Sequence, residues 1–236
     1  MRFQDAAPDA RAVVYSAIQA EGVVHRAADL LAEATFLQRL LARAVMNGES
    51  DDAALWRSMF PGLFDPTSAS GNSSDGPARA RSEALLAVAL EVADRGDRVR
   101  DQVRGAIVEA LTERLLSRRI GGGAIRRERR ILFDGVRAEI HPYDVTVEVP
   151  GAAEAFDCKW GARGIKADVL HQLDDARVHA GDEDARLRVG LVVFDADRSC
   201  RVRLARETAP SAGTHLISLE ALDRLATGEW PDRALP

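Results

Sequence analysis

Apolar residues recur at helical spacing over the first half of the chain. Residues 8–46 carry Val, Ile, Leu and Ala at intervals of three and four, which predicts helices. Gly22 is expected to separate two of them. Further helices are predicted over residues 84–93 and 97–119, and the glycines at positions 121–123 end the second one.

Beyond these glycines the apolar spacing changes to two, which is typical of strands. Strands are predicted over residues 131–133, 136–140, 144–149, 155–160 and 187–194, with weaker candidates at 202–205 and 215–219. Pro150 and Gly151 are expected to turn the chain between two of the strands. Helices are predicted over residues 165–180 and 218–227. This order predicts an α/β fold, with a mixed sheet flanked by helices on both faces.

The region between the two halves differs in composition. Residues 61–80 are rich in Pro, Gly and Ser, which predicts a flexible linker. It would divide the chain into a small helical module, residues 1–60, and a larger domain, residues 81–236. The module suits dimerisation or docking of a partner protein. A helix-turn-helix is the alternative, but the module is acidic and no turn glycine separates its later helical runs.

The composition is that of a globular protein, with 46% apolar and 29% charged residues in 236. No apolar run is long enough for a membrane helix, and no signal peptide is apparent. Two cysteines, Cys158 and Cys200, cannot form a disulfide framework, so a cytoplasmic location is expected. The five histidines lack metal-site spacing, and no phosphate-binding loop motif of nucleotide hydrolases occurs.

Basic residues are distributed unevenly, although the net charge is −5. Only two of the 32 basic residues are lysines. Arginine binds phosphate through two parallel hydrogen bonds, so a basic loop around the triple glycine is expected to bind a nucleic-acid backbone. A solvated charge run is the alternative. The candidate phosphate-binding residues are Arg118, Arg119, Arg126, Arg127, Arg129, Arg130 and Lys166.

The strands at 144–149 and 155–160 contain the candidate chemistry. Alternation along a strand puts Asp157 and Lys159 on one face, and a hairpin would bring Asp144 to the same patch. Two carboxylates provide the oxygen ligands that Mg²⁺ prefers. A lysine beside such an ion can orient an attacking water and offset developing negative charge. A surface Asp–Lys pair of little energetic value is the alternative.

This pattern resembles the PD-(D/E)xK nuclease superfamily. Asp144 matches the acid that opens one strand, and Asp157-Cys158-Lys159 matches the acid-x-Lys of the next. The order of helix, strands, helix and strand over residues 98–195 is also similar to that family's core. Two departures are Pro142, which lies two residues before Asp144 rather than one, and an Asp rather than the commoner Glu at position 157.

The resemblance implies a restriction-endonuclease-like fold and a metal-dependent endodeoxyribonuclease that uses Mg²⁺ or Mn²⁺. Asp144 and Asp157 would be metal ligands, with Glu109 and the Cys158 backbone carbonyl assisting. Lys159 would orient the water, and Gln172 would line the catalytic site or be an ordinary buried amide. Glu113 is the substitute for Glu109.

The expected function is therefore hydrolysis of DNA phosphodiester bonds, in restriction, anti-phage defence or repair. Cutting of both strands would favour a homodimer. The alternative is an inactive nuclease fold that binds DNA or serves as a scaffold subunit, docked on or activated by a partner protein through residues 1–60.

Overall fold

The computed structural model of the chain describes residues 1–7, 10–48, 50–65, 75–134, 136–137, 141–149, 152–207 and 215–229. It divides into two compact units. Unit 1 comprises Met1–Ala12 and Thr112–Pro236, and unit 2 comprises Val13–Leu111. No helix in the described ranges is long and apolar enough to cross a membrane.

Unit 2 is helical. The helices up to the boundary are α1 (Ala10–Gln19), α2 (Gly22–Ala32), α3 (Phe36–Asn47), α4 (Ala53–Met59), α5 (Pro61–Phe64), α6 (Asp75–Ala93) and α7 (Asp97–Ser117). Helix α3 begins with a capping box: Thr35 Oγ1 accepts from the Gln38 backbone N–H, and Gln38 Oε1 accepts from the Thr35 backbone N–H. Helices α2, α3 and α5 pack on α6, with Leu31, Leu41 and Leu85 fully buried.

Unit 1 contains a mixed sheet. Its strands are β1 (Arg2–Asp5), β2 (Ile125–Phe133), β3 (Val136–Arg137), β4 (Tyr143–Val149), β5 (Ala152–Lys159), β6 (Leu187–Val193) and β7 (His215–Ile217). The order is β1-β2-β4-β5-β6-β7, and β3 also pairs with β2. The pairs from β1 to β5 are antiparallel, whereas β5, β6 and β7 run parallel. The predicted α/β class and mixed sheet are confirmed.

Helices cover the sheet of unit 1. They are α8 (Ala167–Asp182), α9 (Asp197–Leu204) and α10 (Arg224–Thr227), with 3-10 turns at Gly122–Ala124, Ala162–Gly164 and Leu219–Ala221. Leu170 and Leu173 of α8 pack with Val189 and Leu191 of β6 in one buried cluster. On the other face Cys158 contacts Thr112 of α7. The parallel register ends β5 and β6 together, at Lys159 opposite Val193.

Several predicted boundaries were wrong. Strand β2 begins at Ile125, so the Arg-rich stretch from 126 to 130 is a strand rather than a loop. Residues 202–205 belong to α9 and the turn after it, rather than to a strand. The boundary between the two units lies within α7. Of the predicted linker 61–80, residues 61–64 and 75–80 are helical, and residues 66–74 lie outside the described residues.

The N-terminal residues also differ from prediction, because β1 belongs to the sheet of unit 1. The predicted closing helix over 218–227 is a 3-10 turn followed by the short α10. The strand predicted at 215–219 is confirmed as β7. Residues 138–140 and the turn predicted at 150–151 lie outside the described residues.

Candidate functional site

The antiparallel pairing of β4 and β5 forms the centre of the candidate site. Val145 pairs with Phe156, and continuing this register by one residue sets Asp144 opposite Asp157. Strand β4 contains three Val, and β5 contains three Ala and one Phe, which fit a largely buried sheet. The two acids thus lie near the ends of their strands, where β5 leads out of the sheet.

Three charged side chains converge here, as the sequence predicts. The Lys159 ammonium forms an ion pair with Asp157 Oδ1, and its Nζ lies 3.7 Å from Asp144 Oδ2. The backbone N–H of Cys158 donates to Asp144 Oδ2 at 2.6 Å. The side chain of Asp157 is only 7% exposed, against 19% for Asp144 and 25% for Lys159. The site is therefore a partly buried cluster of two carboxylates and one ammonium.

The charge state of Lys159 follows from this environment. Burial acts to lower its pKa, but the nearby Asp144 and Asp157 carboxylates outweigh burial and raise the pKa above its ordinary 10.5. Lys159 is therefore a cation at neutral pH and can donate hydrogen bonds but not accept a proton. This suits it to stabilising negative charge.

The Lys159 stem rests on a glycine that sequence reasoning missed. A Cβ placed on Gly164 would lie only 3.0 Å from both Cβ and Cδ of Lys159. The Phe194 N–H donates to the Lys159 carbonyl at 2.9 Å and fixes the backbone at the end of β5. The lysine is thus positioned from both its backbone and its stem.

Asp195 is a second residue that sequence reasoning missed. It is buried just after β6, where Oδ2 accepts from Ala162 N at 3.0 Å and Oδ1 accepts from Ala196 N at 2.8 Å. The bond to Ala162 N ties the 3-10 turn that follows Lys159 to the end of β6. The available signal was an acid at the end of a buried parallel strand, the edge at which open α/β sheets build their sites.

Gln172 lies near the site but is bonded to the backbone. Its Nε2 donates to the His141 carbonyl and its Oε1 accepts from the His141 N–H, both at 3.0 Å. The Tyr143 hydroxyl donates to the Gln172 carbonyl at 3.3 Å. Gln172 therefore ties α8 to the chain entering β4, three residues before Asp144, and we expect it to act as a positioning residue for Asp144.

Cys158 lies in the interior of unit 1. Its side chain is buried, with Sγ 3.5 Å from Thr112 Oγ1. A role of its backbone carbonyl as a metal ligand stays a prediction.

Glu109 is buried within unit 2. Its Oε1 accepts from the Tyr15 hydroxyl at 2.5 Å and its Oε2 accepts from Gln19 Nε2 at 2.7 Å. These bonds lie in unit 2, whereas Asp144, Asp157 and Lys159 belong to unit 1. Glu113, the substitute, forms an ion pair with Arg127.

The arginine run does not form the basic loop that was expected. Arg119 pairs with the buried Glu154 and donates to the Leu225 carbonyl. Arg129 pairs with both Glu148 and Asp5. These pairs stabilise unit 1, because each joins the Arg to a separate element of the fold. Arg118, Arg126 and Lys166 are exposed, and Arg130 is half-buried.

In the described part of the chain, no group of three or more His, Cys, Asp or Glu side chains is arranged to hold a metal ion. Comparisons of the chain with models of protein families, with curated proteins and with solved structures find no match.

Proposed function

We propose that the chain is a metal-dependent nuclease of restriction-endonuclease-like fold that hydrolyses DNA phosphodiester bonds. The observation that carries this proposal is the convergence of Asp144, Asp157 and Lys159 at the ends of β4 and β5. These are the residues that resemble the PD-(D/E)xK motif, and the sheet order places them together. Restriction, anti-phage defence and repair all suit such an activity.

The donor set fits a hard divalent cation. Asp144 and Asp157 provide carboxylate oxygens, and the Cys158 carbonyl is a neutral oxygen between the two motif residues. Mg²⁺ or Mn²⁺ held there would supply Lewis acidity toward a phosphoryl oxygen and lower the pKa of a bound water. The remaining coordination positions would be taken by water and substrate phosphate, as is usual for Mg²⁺.

The chain's own residues provide positioning and charge. Lys159 stays protonated, so its ammonium can donate to an attacking water or to a non-bridging phosphate oxygen as negative charge develops. Asp157 holds this ammonium, and the Cys158 N–H holds the Asp144 carboxylate. The partial burial of the cluster strengthens these interactions relative to water.

The test is plasmid cleavage by purified protein with Mg²⁺ or Mn²⁺. Wild type is expected to nick or linearise the plasmid, and EDTA, Lys159→Ala and Asp144→Ala each to abolish this. Asp182→Asn, an exposed acid at the end of α8, is the matched control and should cleave like wild type. Cleavage that survives both site variants would overturn the assignment.

A second candidate function follows from the ion pair itself. Because Lys159 already binds Asp157 directly, the cluster is partly neutralised without any metal. An inactive nuclease fold that binds DNA, or a scaffold subunit that works with a partner protein, would retain this arrangement. Calorimetric titration separates the two, since only the nuclease should bind Mg²⁺ and lose that binding in Asp144→Ala.

A further inference from the structure

The segment after Lys159, residues 160–166, is hydrogen-bonded to the rest of unit 1 on one side and exposes polar side chains to solvent on the other. The Ala162 N–H donates to Asp195 Oδ2, and Arg203 Nε donates to the Ile165 carbonyl, each at 3.0 Å. Ala162 and Ile165 are buried, at 8% and 0% exposure. The segment is therefore a rigid part of unit 1 rather than a loose loop.

Trp160 begins this segment, and its indole ring packs against another aromatic ring. It stacks on the fully buried Phe194, with ring centroids 4.9 Å apart and planes 28° from parallel. Trp160 itself is half-buried, so part of the indole is open to solvent. Because Phe194 already holds the indole in place, little conformational entropy is lost when another flat group stacks on it.

Two cations follow on the same segment. Arg163 and Lys166 alternate with the buried residues of the segment, and both are exposed. Among the residues that the structure describes, neither has an ion-pair or hydrogen-bond partner for its charged group. They differ in this from Arg119, Arg127 and Arg129, whose charges are used within the fold.

We propose that segment 160–166 binds a single DNA strand, with an unpaired base stacked on Trp160 and phosphates held by Arg163 and Lys166. This inference rests on the proposed function, because Lys159 lies one residue before Trp160 and the scissile phosphate would lie at Lys159. It names the substrate class of that site, which is single-stranded DNA or a single-stranded region of a duplex.

A single strand suits this segment because stacking on Trp160 needs an exposed base face. In a duplex both faces of a base are covered by its neighbours, whereas an unpaired base can stack on an aromatic side chain. Stacking also tolerates any base, so the segment predicts binding without strong sequence preference. Arg163 and Lys166 would contact the phosphates of the DNA backbone and so contribute the salt-dependent part of the binding affinity.

The experiment measures fluorescence anisotropy of labelled oligo(dT) and of a labelled duplex of the same length, about 16 nucleotides, in EDTA. Wild type is expected to bind oligo(dT) more tightly than the duplex. Trp160→Leu should weaken oligo(dT) binding about 5- to 150-fold and leave duplex binding unchanged. Trp160→Phe should restore most of the affinity, because the ring is retained, and circular dichroism checks that both variants fold.

The cations are tested through the salt dependence. The double variant Arg163→Ala, Lys166→Ala should reduce the slope of log affinity against log salt concentration by about 1.4, the value for two phosphate contacts on a single strand. Arg186→Ala is the matched control. Arg186 is exposed and lies just before β6, at the far end of the parallel strands β5 and β6 from Lys159. The Arg186→Ala variant should therefore keep the full slope.

Tighter binding of the duplex, an unchanged affinity in Trp160→Leu, or a loss of about 0.7 in slope in Arg186→Ala, the value for one phosphate contact, would overturn the inference. These results are separable from failure of the proposed function, because EDTA prevents metal-dependent hydrolysis during the measurement. Metal-dependent duplex cleavage without preference for oligo(dT) would overturn the inference alone. Oligo(dT) binding that depends on Trp160 without any cleavage would overturn hydrolysis alone.

Discussion

At the scale of single residues, the charge of Lys159 is the most consequential property of the site. Its two carboxylate neighbours need a cation, and its pKa is raised above 10.5 by them. A raised lysine pKa stabilises the fold fully at pH values below 10.5, and this contribution is lost only as pH rises through the folded-state value.

Replacing Lys159 with Met keeps the stem and removes the charge. The Lys159→Met variant is expected to lose about 1–3 kcal/mol of unfolding free energy, between the values for exposed and buried ion pairs. The loss should be the same from about pH 6 to about pH 9, since Lys159 does not titrate there. Urea denaturation across this range measures it, with the exposed Lys166→Met as control. A loss that shrinks within the range would show that Lys159 is not the protonated partner.

Gly164 should affect activity more than stability. In Gly164→Ala the added Cβ meets Cβ and Cδ of Lys159 at 3.0 Å, and a shift of a few tenths of an ångström at the end of β5 relieves the contact and displaces the ammonium. Displacement of a catalytic group by about 1 Å can cost on the order of 100-fold in rate. We therefore expect initial plasmid-nicking rates to fall at least about tenfold, while the melting temperature changes little.

The control for that variant is Gly181→Ala, in the last turn of α8. Nothing lies within 4 Å of a Cβ at Gly181, so the change should keep the nicking rate and leave stability equal or slightly higher. Equal rates in the two variants would show that the Lys159 stem does not depend on Gly164.

At the scale of elements, α8 fixes the start of β4 through one side chain. The Gln172 amide makes both hydrogen bonds of the His141 backbone, three residues before Asp144. In Gln172→Leu these backbone groups lose their partner, which is expected to cost about 2 kcal/mol. The His141 amide should exchange with solvent deuterium faster than in wild type.

His171 provides the matched control, because it neighbours Gln172 on α8 but is exposed. His171→Ala should leave the exchange rate of the His141 amide and the nicking rate unchanged. If Gln172→Leu slows nicking only by loss of folded protein, added osmolyte should restore it, and the positioning role would be wrong.

Elements with a strong local pattern were predicted, and elements that depend on distant partners were not. The alternation of Val145 and Val147 identified β4, because both residues lie on the face of that strand that is buried in the core. The start of β2 was missed because Arg127 and Arg129 look like loop residues until Glu113 and Glu148 pair with them. Residues 202–205 were misassigned because the apolar pattern of a four-residue stretch fits a strand and a helix equally well.

The site divides in the same way. Asp144, Asp157 and Lys159 follow from strand alternation and one hairpin, which are local. Asp195 and Gly164 act through tertiary contacts with Ala162 N and the Lys159 stem, and no local pattern contains those contacts. Sequence therefore identified the charged groups of the site but not the residues that hold them in position.

At the scale of the whole molecule, residues 2–5 are part of the sheet that contains the candidate site, and not part of the helical unit that follows them in the chain. Strand β1 pairs with β2, and its Phe3 packs against the core that includes Leu170, Leu173 and Leu191. The expected docking module, residues 1–60, therefore contains an edge strand of unit 1. Removing it would uncover the edge of β2 and part of that core.

This organisation makes deletion of residues 1–60 a test of the fold. We expect the deletion to destabilise unit 1 and abolish cleavage even if the helices serve only to dock a partner. Phe3→Ala isolates the strand's contribution and should cost about 1–3 kcal/mol, because Phe3 is half-buried. The exposed Gln4→Ala is its control, and urea denaturation measures both. A deletion variant that folds and cleaves normally would show that β1 is dispensable, and residues 1–60 would then be a separate docking module.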